Sequence, residues 1–320
     1  MKYAQLGDSG INVSQLCVGG MSFGKPSEDF HQWTLNPEET ETVVQRALDL
    51  GINFFDTANT YSHGTSEEYL GQALKKNIAR DKAVIATKVY FNEGHLSKEA
   101  INREIDGSLK RLGTDYVDLY IIHRFDYDTP IEETMEALDG LVRAGKVRAL
   151  GASAMYGYQF HNMQLAAEKN GFTKFVSMQN HYNLLYREDE HEMIPICRQY
   201  NVSLTPYSPL AAGRLARPEW KTDSKRSMTD KVAIQKYDST QENDLLIVKR
   251  VSEIADKYGA TMPQISIAWL LAKGVTSPLI GATKAKYFDD AAKALDISLS
   301  KEDIAYLDEL YIPHKIVGAI

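Results

Sequence analysis

The sequence predicts an α/β fold, a single (β/α)8 TIM barrel over residues 1–320, and three observations carry that expectation. Short apolar runs alternate with amphipathic stretches along most of the chain, the pattern of repeated βα units. Eight such runs occur, the number that closes a barrel of parallel strands. Three consecutive runs end in a polar residue, Asp56, Lys88 and His123, and parallel strands of a barrel all end on one face. A length of 320 residues allows one barrel or two ordinary domains. No linker, internal repeat or low-complexity tract divides the chain, so the single domain is preferred.

The elements follow in order. A hairpin opens the chain, with strands at 3–6 and from 12 onward joined by the turn Asp8-Ser9-Gly10. Barrel strands are expected at 16–19, 53–56, 84–88, 117–123, 149–153, 175–180, 203–207 and 278–281. Helices are expected at 38–50, 66–76, 98–112, 131–144, 156–170 and 192–200, each ending near a Gly, Asn or Arg stop signal. Two segments break the rhythm. The stretch 21–37, with Gly24, Pro26 and Pro37, precedes the first helix, and 211–242 is charged, polar and irregular before helicity resumes at Asp244. Loops of that length inside a compact domain are usually lids or inserts. A last helix at 301–310 and a tail at 311–320 are expected near the barrel mouth.

Composition narrows the function. With 36 Lys and Arg against 43 Asp and Glu the net charge is −7, which gives no footprint for nucleic acid or anionic lipid. Cys17 and Cys197 are the only cysteines, so a disulfide framework is not expected and a reducing compartment fits. Nothing approaches the roughly 18 apolar residues of a membrane span. The opening residues lack a long apolar run, and a cytoplasmic location is expected. His63, His95 and His123 have neither i, i+4 pairing nor a cysteine cluster, so no metal site is expected.

The strand ends suggest proton transfer. Tyr61, just beyond the strand that ends at Asp56, is a poor acid because a free phenol has a pKa of about 10. A nearby ammonium lowers that value, and Lys88 is placed to supply it. Asp56 is the natural counter-charge for Lys88, and His123 can donate to a carbonyl oxygen. Such a set suits protonation of an oxygen as hydride reaches its carbon. Alone, each residue has an ordinary reading: a helix cap, a surface lysine, a core histidine, a packed tyrosine. Their joint placement at successive strand ends favours catalysis. A strand-end lysine also suits a Schiff-base aldolase, with Lys88 as nucleophile.

The stretch Gly51-Ile52-Asn53-Phe54-Phe55-Asp56-Thr57-Ala58 through Tyr61, then Ser66-Glu67-Glu68-Tyr69-Leu70-Gly71, resembles the first signature of the aldo-keto reductases. The likeness continues through Thr87-Lys88, 119–123, Gly145-Lys146-Val147-Arg148, Gly151-Ala152-Ser153, Gln179-Asn180, Tyr207-Ser208-Pro209-Leu210 and Ile280-Gly281-Ala282-Thr283-Lys284. It is similar above all to the branch of aryl-alcohol-dehydrogenase-like reductases and potassium-channel β subunits. The resemblance implies a catalytic tetrad of Asp56, Tyr61, Lys88 and His123, with Tyr61 as the acid. It implies NADPH/NADP+ with the nicotinamide stacked on Tyr207 and its carboxamide held by Ser153 and Gln179. Ser208, Leu210, Gly213 and Leu215 would meet the pyrophosphate, with Gly20, Met21, Asp56, Pro209 and Gly281 also along the cofactor. Thr283 and Lys284 would face the 2′-phosphate, Tyr287 and Asp290 the adenosine, with Arg217 and Arg226 adding charge. No Gly-x-Gly-x-x-Gly follows a strand, which disfavours the alternative Rossmann site.

The expected substrate is a small carbonyl compound, in a pocket rimmed by Met21, Phe23, Tyr61, Phe91, His123, Phe125, Tyr127 and Trp220. The rival within this resemblance is a regulatory, cofactor-sensing subunit. Four positions depart from the family pattern: Asn59 where Asp is common, Ser62-His63 where Gly is common, Thr283 for Arg and Ala291 for Asn. Oligomeric state has no signal in the sequence.

Overall fold

The computed structural model describes residues 1–27, 30–220, 229–281 and 283–318. An antiparallel hairpin of β1 (Tyr3–Gln5) and β2 (Asn12–Ser14) comes first. Eight parallel strands follow: β3 (Cys17–Gly19), β4 (Phe54–Asp56), β5 (Val84–Val89), β6 (Val117–Ile122), β7 (Val147–Ser153), β8 (Phe175–Gln179), β9 (Ser203–Leu204) and β10 (Leu279–Ile280). They pair in the order β10-β3-β4-β5-β6-β7-β8-β9. The ring closes through Leu279 N–H donating to Pro206 O at 2.9 Å and Thr276 N–H to Leu204 O at 2.9 Å. The chain is therefore a (β/α)8 barrel, with its seam between two strands of only two residues each.

Strand periodicity explains what the barrel encloses. Alternate residues of a strand share a face. Phe54, Ala86, Leu119, Ile121 and Ala149 form one interior cluster, closed from below by Leu6, Ile11 and Val13 of the hairpin. Two residues further along, on the same face, stand Asp56, Lys88 and His123. Residues of opposite parity, such as Phe55, Ile85, Tyr120 and Ile122, face outward into the layer of helices.

Eleven helices lie among the described residues: α1 (Pro37–Asp49), α2 (Thr65–Asn77), α3 (Lys98–Leu112), α4 (Ile131–Arg143), α5 (Gly157–Asn170), α6 (Met193–Gln199), α7 (Lys231–Tyr237), α8 (Gln241–Tyr258), α9 (Met262–Ala272), α10 (Lys286–Lys293) and α11 (Lys301–Asp308). Local chemistry sets their ends. Asn36 and Glu39 form a reciprocal capping box before α1, with Pro37 at its first position. Ser97 caps α3, and Gly113 at φ 66° ends it. One expectation needs correction. The 211–242 segment is not irregular throughout, because α7 lies inside it, capped by the Asp230 side chain on Ala233 N–H at 3.0 Å, and α8 begins at Gln241. Ala233 and Tyr237, four residues apart, bury one face of this helix amid charged neighbours.

At the amino end of the barrel, Asp118 near the start of β6 accepts Arg80 Nη2 at 2.8 Å, Ile85 N–H at 3.0 Å and Arg148 Nη1 at 3.0 Å. At the carboxyl end the tail crosses the mouth as expected. Tyr311 Oη donates to Glu188 at 2.6 Å, and His314 Nε2 lies 3.1 Å from Asp244 Oδ1. Val317 N–H donates to Tyr186 Oη at 3.0 Å, and Arg124 Nη1 donates to Gly318 O.

Candidate active site

Lys88 is fully buried at the end of β5, where an uncompensated ammonium would be costly. Its Nζ donates to Asp56 Oδ2 at 2.6 Å, to Thr57 O at 2.8 Å and to Tyr61 Oη at 3.3 Å. Gln179 Nε2 donates to the other Asp56 oxygen at 2.8 Å, and Ser153 Oγ donates to Gln179 O at 2.7 Å. Three strands therefore lock one carboxylate. Behind β5, Thr87 Oγ1 donates to Glu67 at 2.6 Å and Arg111 Nε donates to the same fully buried carboxylate at 2.6 Å. This pair fixes α2, and with it the Tyr61 turn, against the strand bearing Lys88.

Tyr61 is reached through a strained turn. Ser62 and His63 hold φ of 46° and 54°, the left-handed region that favours glycine. These are the positions where glycine is common in the resembling family, so the departure is accommodated in the same backbone shape. Ser62 Oγ donates to Phe23 O at 3.0 Å, which helps offset the strain. At a second departure, Asn59 Nδ2 donates to Glu104 at 2.8 Å, and the Asn59 backbone N–H donates to Lys88 O at 3.3 Å.

Electrostatics differ in one respect from the sequence expectation. Burial pushes the Tyr61 phenol above its ordinary pKa, and Lys88 pulls in the expected direction without overcoming it. Tyr61 thus stays protonated at neutral pH, as an acid must. Burial disfavours the Lys88 ammonium, but Asp56 and Tyr61 outweigh it and hold the pKa up. That charged lysine, with its three bonds, is no free amine for a Schiff base. Burial, then Lys88, pulls His123 well below its usual value, leaving a neutral imidazole. Its ring packs edge-on to Tyr61 at 5.8 Å, and Nδ1 is buried without a hydrogen-bond partner among the described residues.

A cavity of about 470 Å³ opens over these groups, lined by Asp56, Tyr61, His123, Ser153, Gln179, Tyr207, Ser208 and Gly281 among others. Tyr207 is held on one face by His181 at 5.1 Å and 9°, itself stacked on Tyr186 at 4.1 Å. A flat ring entering the cavity meets the rest of Tyr207. Beyond it the backbone coils tightly, with Ser208, Ala211, Ala212 and Gly213 all at positive φ. The N–H groups of Gly213 and Leu215 already donate to Leu210 O, and the Leu215 side chain is core. Arg217, beside Gly213, has a buried Nε without a hydrogen-bond partner among the described residues.

Not every expected rim residue reaches the cavity. Met21, Tyr61, Phe91 and His123 line it. Phe23 is fully buried in the core, and Phe125 packs against the exposed Tyr127 outside the lining. Trp220 is buried, its Nε1 donating to Asp238 at 3.0 Å beneath Arg214. The lining instead includes Phe30, His31, Trp33, Arg124 and Lys236. The aromatics of the first irregular segment were a legible signal for this rim; Lys236 in α7 carried none. Thr283 and the exposed Lys284 precede α10, whose Asp290 accepts Gln264 Nε2 at 2.6 Å, and Tyr287 is exposed. Arg226 lies outside the described residues.

The aldo/keto reductase family model matches residues 15–312. The chain belongs to that family. It is 42% identical over 341 residues to versiconal hemiacetal acetate reductase of Aspergillus parasiticus, covering 99% of this chain and 98% of the relative. It is 42% identical over 346 residues to an aldo-keto reductase of Fusarium vanettenii, covering 99% and 92%. A Schizosaccharomyces pombe relative named for aryl-alcohol dehydrogenase is 41% identical over 351 residues, covering 99% and 98%. This aldo/keto reductase is thus an oxidoreductase, of a family that generally uses nicotinamide cofactors. The Arg217 Nε, unpartnered among the described residues, and the Ser153, Gln179 and Tyr207 side chains in the cavity lining suit such a group. No described helix is long and apolar enough to cross a membrane.

Proposed function

We propose that this aldo/keto reductase reduces aldehydes or ketones to alcohols with NADPH, with Tyr61 as general acid. The observation that carries the reading is the buried bridge of Lys88 between Asp56 and the Tyr61 hydroxyl, at the floor of a cavity walled by Tyr207. When bound, the nicotinamide supplies the hydride. The chain's own residues do the rest. Neutral His123 donates to the carbonyl oxygen and sets its direction, and Tyr61 O–H gives that oxygen its proton. Lys88 stabilises the resulting phenolate, and Asp56 keeps Lys88 charged in a site that would otherwise discharge it. Ser153 and the side-chain oxygen of Gln179 hold the carboxamide, and Tyr207 supports the ring. Arg217 meets the pyrophosphate, while Thr283 and Lys284 receive the 2′-phosphate at the start of α10, where helix N–H groups favour an anion. A cytoplasmic location is part of this reading.

Fluorescence titration with NADPH and NADH, then an aldehyde panel followed by loss of reduced-nicotinamide absorbance, tests it. Tighter NADPH binding with turnover of carbonyl compounds is expected. NADPH binding with no turnover across the panel would favour a cofactor-sensing role.

A further inference from the structure

The cavity contains two cations that the reduction chemistry does not use. Lys236 reaches it from α7, its Nζ 3.4 Å from the Tyr207 hydroxyl and 4.6 Å from that ring's centroid. No carboxylate oxygen lies within 4.0 Å of this ammonium among the described residues. Asp230, the nearest acid on its element, spends Oδ1 on capping Ala233. Arg124 follows His123 at the end of β6, lies 5.6 Å over the Phe91 ring and donates to Gly318 O. Gly318 in turn abuts the Tyr207 hydroxyl, where a Cβ would come within 2.6 Å. Both cations therefore line the cavity near that hydroxyl, Lys236 directly from α7 and Arg124 from the end of β6 through its bond to Gly318 O. Like charges facing a common space of reduced dielectric are relieved by an anion placed between them.

We infer that Arg124 and Lys236 form an anion-binding subsite beside Tyr207, and that the preferred substrate is an aromatic aldehyde carrying a carboxylate remote from its carbonyl. This rests on the reductase reading above. The aromatic part follows from the walls, where Phe30, Trp33 and Phe91 accept a flat ring. The substrate, not the cofactor, supplies the anion because Arg124 and Phe91 adjoin His123. The cofactor phosphates in the proposed pose lie along Ser208–Arg217 and at Lys284. Lys236 is faced by Arg124, Asp230, Tyr207, Tyr237 and His181. Burial, then Arg124, pushes its pKa down to about 8, the behaviour of a cation short of a counter-charge.

The test compares 4-carboxybenzaldehyde with its methyl ester, a neutral analogue whose para group also withdraws electrons. Wild-type kcat/KM is expected to favour the acid at least tenfold. Lys236→Met and Arg124→Met should each collapse that ratio at least fivefold, chiefly through KM, and Lys236→Arg should restore most of it. Above about pH 8 the wild-type preference should relax as Lys236 discharges. Calorimetric binding of 4-carboxybenzaldehyde reads the subsite without turnover, with at least fivefold weakening expected in Lys236→Met. That weakening in a protein reducing neither aldehyde supports the subsite and overturns the reductase reading alone. An unchanged ratio and unchanged calorimetric affinity in Lys236→Met, or a loss confined to NADPH affinity, overturns the subsite.

Discussion

Asp118 and Asp56 are both buried carboxylates in one barrel, at its two ends, and they differ in what they leave undone. Asp118 saturates itself with two guanidinium groups and a backbone N–H, so its charge is spent within the protein. Asp56 is equally satisfied, but its partner Lys88 passes a weaker third bond to Tyr61, whose hydroxyl looks into open space with His123 beside it. One charge cluster ends in the protein and the other ends at an open cavity. Barrels place stability at the amino end and chemistry at the carboxyl end, and here the division is visible in where each hydrogen-bond chain stops.

The widest way to test the contrast is to cut each cluster at its last member. Tyr61→Phe should lower kcat by roughly 10² to 10⁴ while leaving the melting temperature and NADPH affinity near wild type, measured by steady-state kinetics and thermal melts. Full turnover in the Phe variant would remove Tyr61 from the chemistry. Asp118→Ala should do the reverse. A stability loss of about 2 to 3 kcal/mol is expected in urea unfolding, with kcat of the folded fraction preserved. The figure sits low because Arg80 and Arg148 are partly exposed and can rehydrate.

A smaller effect, near tenfold or about 1.4 kcal/mol, is expected for Lys284→Ala on NADPH affinity, with NADH little changed. Equal losses for both cofactors would mean that Lys284 acts only on local structure.

The smallest effect is on stability against pH. Burial holds His123 and His181 well below their unfolded pKa, so the unfolded chain binds more protons than the native one as pH falls. Their contribution is present above about pH 6.5 and is lost below it. His314 runs the opposite way: Asp244 outweighs burial and raises it, so its contribution is present below that pH and lost as pH rises through the raised value. Melting temperature should therefore fall between pH 7 and 5, and His314→Gln should steepen the fall. A shallower fall in that variant would contradict the assignment.

Much of this was legible in the chain. All eight strands and seven of the helices lie within a few residues of their expected places, because a two-residue alternation ending in Asp56, Lys88 and His123 has few other readings. Three things were hidden. Tyr61 was expected to have a lowered pKa, because pairing with Lys88 can be guessed from strand ends whereas the burial that outweighs it needs a packed cavity. Phe23 and Trp220 look like rim residues in sequence, but one fills core and the other covers Arg214, since loop aromatics carry no periodicity to say which way they face. Lys236 sits in a seven-residue helix too short and too charged to register as one.

The seam between β9 and β10 is the thinnest part of the ring, held by a few backbone bonds such as those at Leu204 and Pro206. Tyr207 and Ser208 continue from one side of it and Gly281 to Lys284 from the other, so a dinucleotide touching both lies across the joint like a staple. Amides of 204–207 and 276–280 should then be among the faster of the strand amides to exchange with deuterium in the free protein, and the most slowed when cofactor is added. The barrel would breathe where it feeds.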